Sequence, residues 1–114
     1  MIFTYPLKKN EDFATVYKKG RSRANKYFIM YAKKNGSENN RIGVSVSKIV
    51  GNSVVRHRIK RLVKESYRLH EKMFNSGLDI VVIARSGAAD LGFHDVESAL
   101  LHLLNLHKIC DERI

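Results

Sequence analysis

A chain of 114 residues, 44% of them hydrophobic, suits one domain that buries a modest core without metals or disulfides. Its single cysteine, Cys110, excludes an internal disulfide and fits a reducing compartment. Its apolar runs are too short to span a bilayer, and residues 1–12 lack the pattern of a signal peptide, so the expected address is cytoplasmic with no membrane partner. The formal charge of +10 opposes self-association and favours polyanions. That charge is uneven: residues 18–34 hold seven Lys or Arg and no acid, 41–72 hold nine against two acids, and 77–114 hold three against six.

Taken in chain order, a short strand fits residues 2–7. Asn10 is placed to cap a helix whose first turn carries Glu11 and Asp12, where acids complement the positive helix end, and Gly20 is placed to end it. Residues 26–32 (KYFIMYA) are aromatic and branched and predict a strand, and 35–40 predict a turn. Residues 41–48 (RIGVSVSK) alternate, with Ile42, Val44 and Val46 on one face and Gly43, Ser45 and Ser47 on the other, which predicts a half-exposed strand. A long helix follows Gly51-Asn52 and runs to about residues 75–77. Residues 79–84 predict a buried strand and 86–91 a loop. A last helix over about 92–107 turns Val96, Leu100, Leu103 and Leu104 inward. The order α-β-β-α-β-α is that of a small single-domain α+β sandwich over residues 1–114.

The long helix carries the strongest signal. Residues 56–68 hold six cations and one acid. At roughly 100° per residue, Val55, Ile59, Leu62, Val63, Ser66, Leu69, His70 and Met73 share an apolar arc. Arg56, Lys60, Lys64, Arg68 and Arg61 share the opposite one, with Arg58 at the border and Glu71 the relieving acid. Like charges one turn apart cost a few tenths of a kcal/mol per pair. A row of phosphates is the partner expected to offset them, the alternative being a solvated polar face, which normally mixes signs.

Phe13 and Tyr17 lie one helical turn apart, and Tyr27 and Tyr31 share a strand face. Beside small residues and near Lys18, Lys19, Arg21 and Arg23, such rings make a groove in which unpaired bases stack while cations follow the backbone. Taken singly, each ring also fits the core. No phosphate-binding glycine loop, zinc motif or Ser-His-Asp set is present, so the chain is expected to serve a reaction without supplying its chemistry.

Three segments, LKKNEDFATVYKKGRS (7–22), RIGVSVSK (41–48) and GNSVVRHRIKRLVKE (51–65), resemble the bacterial ribonuclease P protein subunit, in order and in register. The resemblance implies a left-handed βαβ crossover, against the general right-handed rule. It implies a subunit that joins a catalytic RNA and helps remove the 5′ leader of precursor tRNA. The Mg²⁺ and the hydrolysis would belong to the RNA, and the isolated protein would be inactive. It assigns Lys48, Asn52, Arg56, His57, Arg58, Lys60, Arg61, Lys64 and Arg68 to the catalytic RNA. It assigns Phe13, Tyr17, Tyr31, Ser45 and Ser47 to the leader. Two positions depart from the pattern: His57 replaces the usual Asn, and Ile49 a common Lys. The rival readings are a structural-RNA binder with no preference for leader-bearing tRNA, a helix-turn-helix DNA binder, and a protein-only nuclease. The second needs adjacent helices and the third a carboxylate cluster.

Overall fold

The computed structural model describes residues 2–108. The strands are β1 (Thr4–Pro6), β2 (Arg21–Ala24), β3 (Phe28–Lys34), β4 (Asn40–Ser45) and β5 (Leu78–Ala84); the helices are α1 (Asn10–Lys19), α2 (Ser53–Leu69) and α3 (Phe93–His107). One sheet holds all five strands in the order β1-β4-β5-β3-β2. β4 lies parallel to β1 and to β5, whereas β3 is antiparallel to both β5 and β2. α2 makes the crossover between parallel neighbours β4 and β5, in the mixed α+β arrangement that the sequence predicts.

Period-two alternation sends the strand side chains into two separate cores. Phe28, Met30, Ile42, Val44, Ile80 and Val82 pack under α2 and α3, against Ile59, Val63 and Tyr67 and against Val96, Leu100, Leu103 and Leu104. On the other face Val81 meets Leu7 and Val16, with Phe13, Tyr31 and Ile83 packed at the margin. The central strand β5 is therefore buried on both sides, which is why it reads as an apolar run from Ile80 to Ala84.

Several boundaries depart from the pattern for local reasons. β3 starts at Phe28 because Asn25 Oδ1 accepts the amides of Tyr27 and Phe28 at 3.0 and 2.9 Å and so bends the chain there. The same turn joins β3 to β2, an edge strand that the alternation rule misses because all four of its residues are exposed. β4 ends at Ser45, short of Lys48, and a turn closed by the Val50 amide on the Ser47 carbonyl leads towards α2. Asn10 is the first helical residue of α1, preceded by Lys9, and makes no side-chain cap. Gly20 ends α1 in an extended conformation; a Cβ there would lie 2.6 Å from the Val16 carbonyl oxygen, so its role is close approach.

α2 stops at Leu69, and a single 3₁₀ turn (Glu71–Met73) follows. Its buried stripe is Ile59, Val63, Ser66 and Tyr67, whereas Leu69, expected inside, is 53% exposed. The helix is thus rotated by roughly 40° from the expected face, towards its own cations. The cause is the Tyr67 hydroxyl. It bonds Thr4 Oγ1 at 2.8 Å and accepts from Asn40 Nδ2 at 3.1 Å, while Asn40 also reaches the Asn75 carbonyl and accepts the Leu78 amide. Glu71, expected to relieve the cation row, is buried and accepts the amides of Ile2 and Phe3.

α1 is held to the sheet by two contacts. The Phe13 ring lies on Gly43, where a Cβ would come within 2.5 Å of Phe13 Cζ. Arg41 donates to both carboxylate oxygens of Asp79 at 2.9 and 2.7 Å and to Asp12 of α1 at 3.1 Å. Burial acts to raise the Asp79 carboxyl, but hydrogen bonds from Arg41 and Asn35 and the charges of Arg41 and Lys33 hold it below its ordinary value. Burial likewise opposes the hydrogen bonds from Thr4, Ile2 and Phe3 that hold Glu71 low.

Depressed carboxyls contribute stability that is fully present above the unfolded pKa and is lost as pH falls through the folded pKa. Unfolding midpoints in denaturant should therefore fall once the pH drops below about 4. An Asp79→Asn/Glu71→Gln variant should start less stable at neutral pH and decline less steeply; an equal decline would place the acid sensitivity elsewhere. Gly43→Ala should cost about 1–3 kcal/mol by the same measurement, because the ring has to move. In a Phe13→Leu background that cost should shrink, and additive costs would show that the two residues do not touch.

Candidate nucleic-acid interface

Where β4 runs out from beneath α1, an open cleft is lined by Asn10, Phe13, Ala14 and Tyr17 of α1, by Val44 and Ser45 of β4, and by Val46 and Lys60. Helical spacing builds the first wall: positions 10 and 14, and 13 and 17, are each one turn apart. The Phe13 and Tyr17 centroids are 6.3 Å apart, and Tyr17 meets Tyr31 edge-on at 5.1 Å. Tyr17 is 39% exposed; Phe13 and Tyr31 are half-buried against the smaller core. Burial pushes the Tyr17 phenol above 10, opposed by the Ser45 hydroxyl, so it stays protonated at neutral pH with an O–H to donate.

Three of the five residues expected on the leader, Phe13, Tyr17 and Ser45, line this cleft, and Tyr31 stands behind it against Tyr17. Ser47 does not line the cleft; it lies exposed in the turn beyond β4. Gly43, part of the expected floor, is covered by Phe13.

The cations of α2 divide between two sides of the helix. Because the helix is rotated, Arg56 and Lys60 are half-buried, and Lys60 joins the cleft wall instead of the outer row. The Arg56 Nε is buried without a hydrogen-bond partner. Arg61, Lys64 and Arg68 are exposed, and Arg68 pairs with Glu65 one turn back, the relief the sequence reading had given to Glu71. On the other side Ser53, Val54, His57, Arg58 and Arg61 line a shallow depression. Arg58 is tethered there by a hydrogen bond to the Leu91 carbonyl. Asn52 caps α2, its Oδ1 accepting the Val55 amide at 3.0 Å, and Lys48 is exposed in the preceding turn.

Sequence reasoning missed Asn10, Ala14 and Lys60 as cleft residues. The first two were accessible from the helical period around Phe13 and Tyr17; the third depends on the Tyr67 contacts, which no local pattern reveals. Among the described residues no group of three His, Cys, Asp or Glu is placed to hold a metal ion. No described helix is long and apolar enough to cross a membrane.

Residues 3–108 match the family model described as Ribonuclease P. The ribonuclease P protein component of Lachnoclostridium phytofermentans is 57% identical over 103 residues, covering 90% of this chain and 89% of that protein. The structure of the Staphylococcus aureus RNase P protein superposes with a TM-score of 0.87 at 40% identity, covering 94% of this chain and 98% of the other. A mutant of that protein with defective mRNA degradation activity superposes at 0.86, also at 40% identity, over 92% of this chain and 89% of the other. The fold, the aromatic cleft and the cationic helix thus accompany a match along nearly the whole described chain, and the protein belongs to the ribonuclease P protein component family.

Proposed function

We propose that the chain binds the catalytic RNA of ribonuclease P through α2 and holds the single-stranded 5′ leader of precursor tRNA in the α1–β4 cleft. The observation that carries this reading is the rotation of α2. It sets Lys60 in the cleft wall beside Tyr17 and Ser45 and leaves Arg61 and Lys64 exposed on the same helix. One rigid element then touches both RNAs. Phosphate contacts along α2 fix position, and rings in the cleft take unpaired bases. Within this reading Lys48, Asn52, Arg56, His57, Arg58, Lys60, Arg61, Lys64 and Arg68 remain the candidates for the catalytic RNA, with Lys60 shared with the leader. Phe13, Tyr17, Tyr31 and Ser45 are the leader candidates, and Ser47 is reachable only from beyond the strand end.

In this reading, as the family resemblance implies, the Mg²⁺ of the reaction is held mainly by the RNA, and no step is routed through the protein. The compartment that goes with this reading is the cytoplasm, in keeping with the single cysteine. Cleavage of precursor tRNA at limiting Mg²⁺ by a bacterial ribonuclease P RNA should accelerate when the protein is added, while rigorously RNA-free protein should cut neither precursor tRNA nor mRNA. Cutting by the RNA-free protein would favour the second reading, the mRNA degradation named for the Staphylococcus aureus mutant.

Tyr17→Ala and Tyr31→Ala should each weaken precursor tRNA binding to the holoenzyme by roughly 1–3 kcal/mol and leave mature tRNA binding unchanged. The alternative is that the rings serve the core, and Tyr31 is the more exposed to it, being half-buried. Loss of a buried ring costs about 3–5 kcal/mol of stability, and thermal unfolding and both affinities would then fall together. The same two variants, measured for melting temperature and for both tRNAs, separate the cases.

A further inference from the structure

The cation-rich stretch 18–34 is largely unused by the cleft and by α2. Lys19, Arg21, Lys33, Lys34 and Lys108 ring a wide depression at the end of the sheet where β3 leaves and β5 enters, floored by those strand ends and the turns at 36–37 and 75–77. No acid lines it. Asp79, next along β5, is already engaged by Arg41 and Asn35. The positive field is felt by a neighbour. Burial first, and then the charges of Arg23 and Arg21, push His107 below its usual value despite its bond to the Met30 carbonyl.

The position of this basin selects its occupant. The register sets Arg21 opposite Ala32, on the sheet face that carries α2 and α3, whereas the leader cleft opens on the α1 face at the other end of β4. α3 packs between α2 and the β2 edge and holds Asp95 and Glu97 but no Lys or Arg. Across α3 a phosphate chain lying along α2 meets those acids, and off the C-terminus of α2 it finds one exposed cation, Lys72, before the uncharged Asn75 and Ser76 at the basin's rim, so the two basic surfaces are not one continuous row. We propose that the basin is a second RNA-backbone site, which takes a segment of the catalytic RNA other than the one on α2. The inference rests on the function proposed above. It makes the protein a clamp between two RNA segments, recognising phosphate and not sequence.

The test measures equilibrium binding of the full chain to the catalytic RNA over a range of salt. The variants are Arg21→Glu/Lys34→Glu and the neutral Arg21→Gln/Lys34→Gln. Both positions are exposed, so the Gln pair keeps the fold even where charge reversal does not. Affinity at low salt should fall at least about tenfold for the Gln pair, and the slope of log K against log salt should become shallower by about two units. Discrimination between precursor and mature tRNA should stay as in the wild type. As a check that needs no variant, acylation of Lys33, Lys34 and Lys108 in the wild-type chain should be suppressed by the catalytic RNA alone. Wild-type affinity and slope in the folded Gln pair, together with unprotected lysines, would overturn the basin. A loss confined to precursor tRNA would overturn it too, by making the basin an extension of the leader path. If the wild-type protein does not bind the RNA at all, the proposed function fails first and the basin with it.

Discussion

Repulsion among like charges is the constraint around which this molecule is arranged. Twenty-one Lys and Arg face eleven Asp and Glu, and several of those acids are used for internal structure. Asp79 and Asp12 converge on Arg41, Glu71 accepts two amides of the N-terminal segment, and Asp95 accepts the amide at the start of α3. Glu97 binds His70, where the hydrogen bond holds its carboxyl low. What remains outside is a cationic surplus with few acids to screen it. Pairing acids internally keeps the folded state connected and leaves the outer field positive, which speeds encounter with a polyanion.

The same economy of contacts positions the cleft. α1 touches the sheet through a small core of Leu7, Val16 and Val81, too few side chains to fix a helix alone. Phe13 on Gly43 sets its height, and the Arg41 bridge to Asp12 sets its angle. With α1 held at those points, the sheet surface beyond Gly43 stays uncovered, and the Tyr17–Tyr31 pair stands at its margin. A bulkier residue at position 43 would lift the helix, and a larger core beneath it would close the space. The cleft therefore exists because the second core is small.

Much of this was legible in the sequence. The inward residues of α3 and the alternation of β4 follow from period alone, since an apolar face has one place to go. The clustering of Phe13, Tyr17 and Tyr31 followed too, because two share a helical turn and the third lies on the strand beneath. Where the reading failed, a side chain made a bond to a distant partner. Tyr67 stands outside the apolar arc that the helical period defines, yet Thr4 and Asn40 meet its hydroxyl and bring it inside, and with it α2 is turned, Leu69 lies outward and Lys60 reaches the cleft. Asn25 shifted the start of β3 by bonding its own backbone. β2 carries no apolar alternation because nothing packs on its exposed residues, so its pairing with β3 is its only signature. Arg41, read only as a strand residue, proved to be the bridge between two elements.

The electrostatics also bear on what the protein would add to the assembly proposed for it. A catalytic RNA and a precursor tRNA are both polyanions, and bringing their backbones together concentrates negative charge that divalent ions must otherwise neutralise. Under the proposed role the protein does this with fixed cations on a rigid frame. α2 is pinned by its buried stripe, α1 by Gly43 and Arg41, and the Lys60 ammonium is carried at the junction of the two. Fixed charges release counterions on binding and need no recruitment from solution, so their advantage is greatest where divalent ions are scarce. His57 fits the same frame. It is exposed at the side of α2 beside Arg58 and Arg61. Under the proposed role its ring nitrogens can meet the catalytic RNA there, with a reach that differs from that of an Asn side chain.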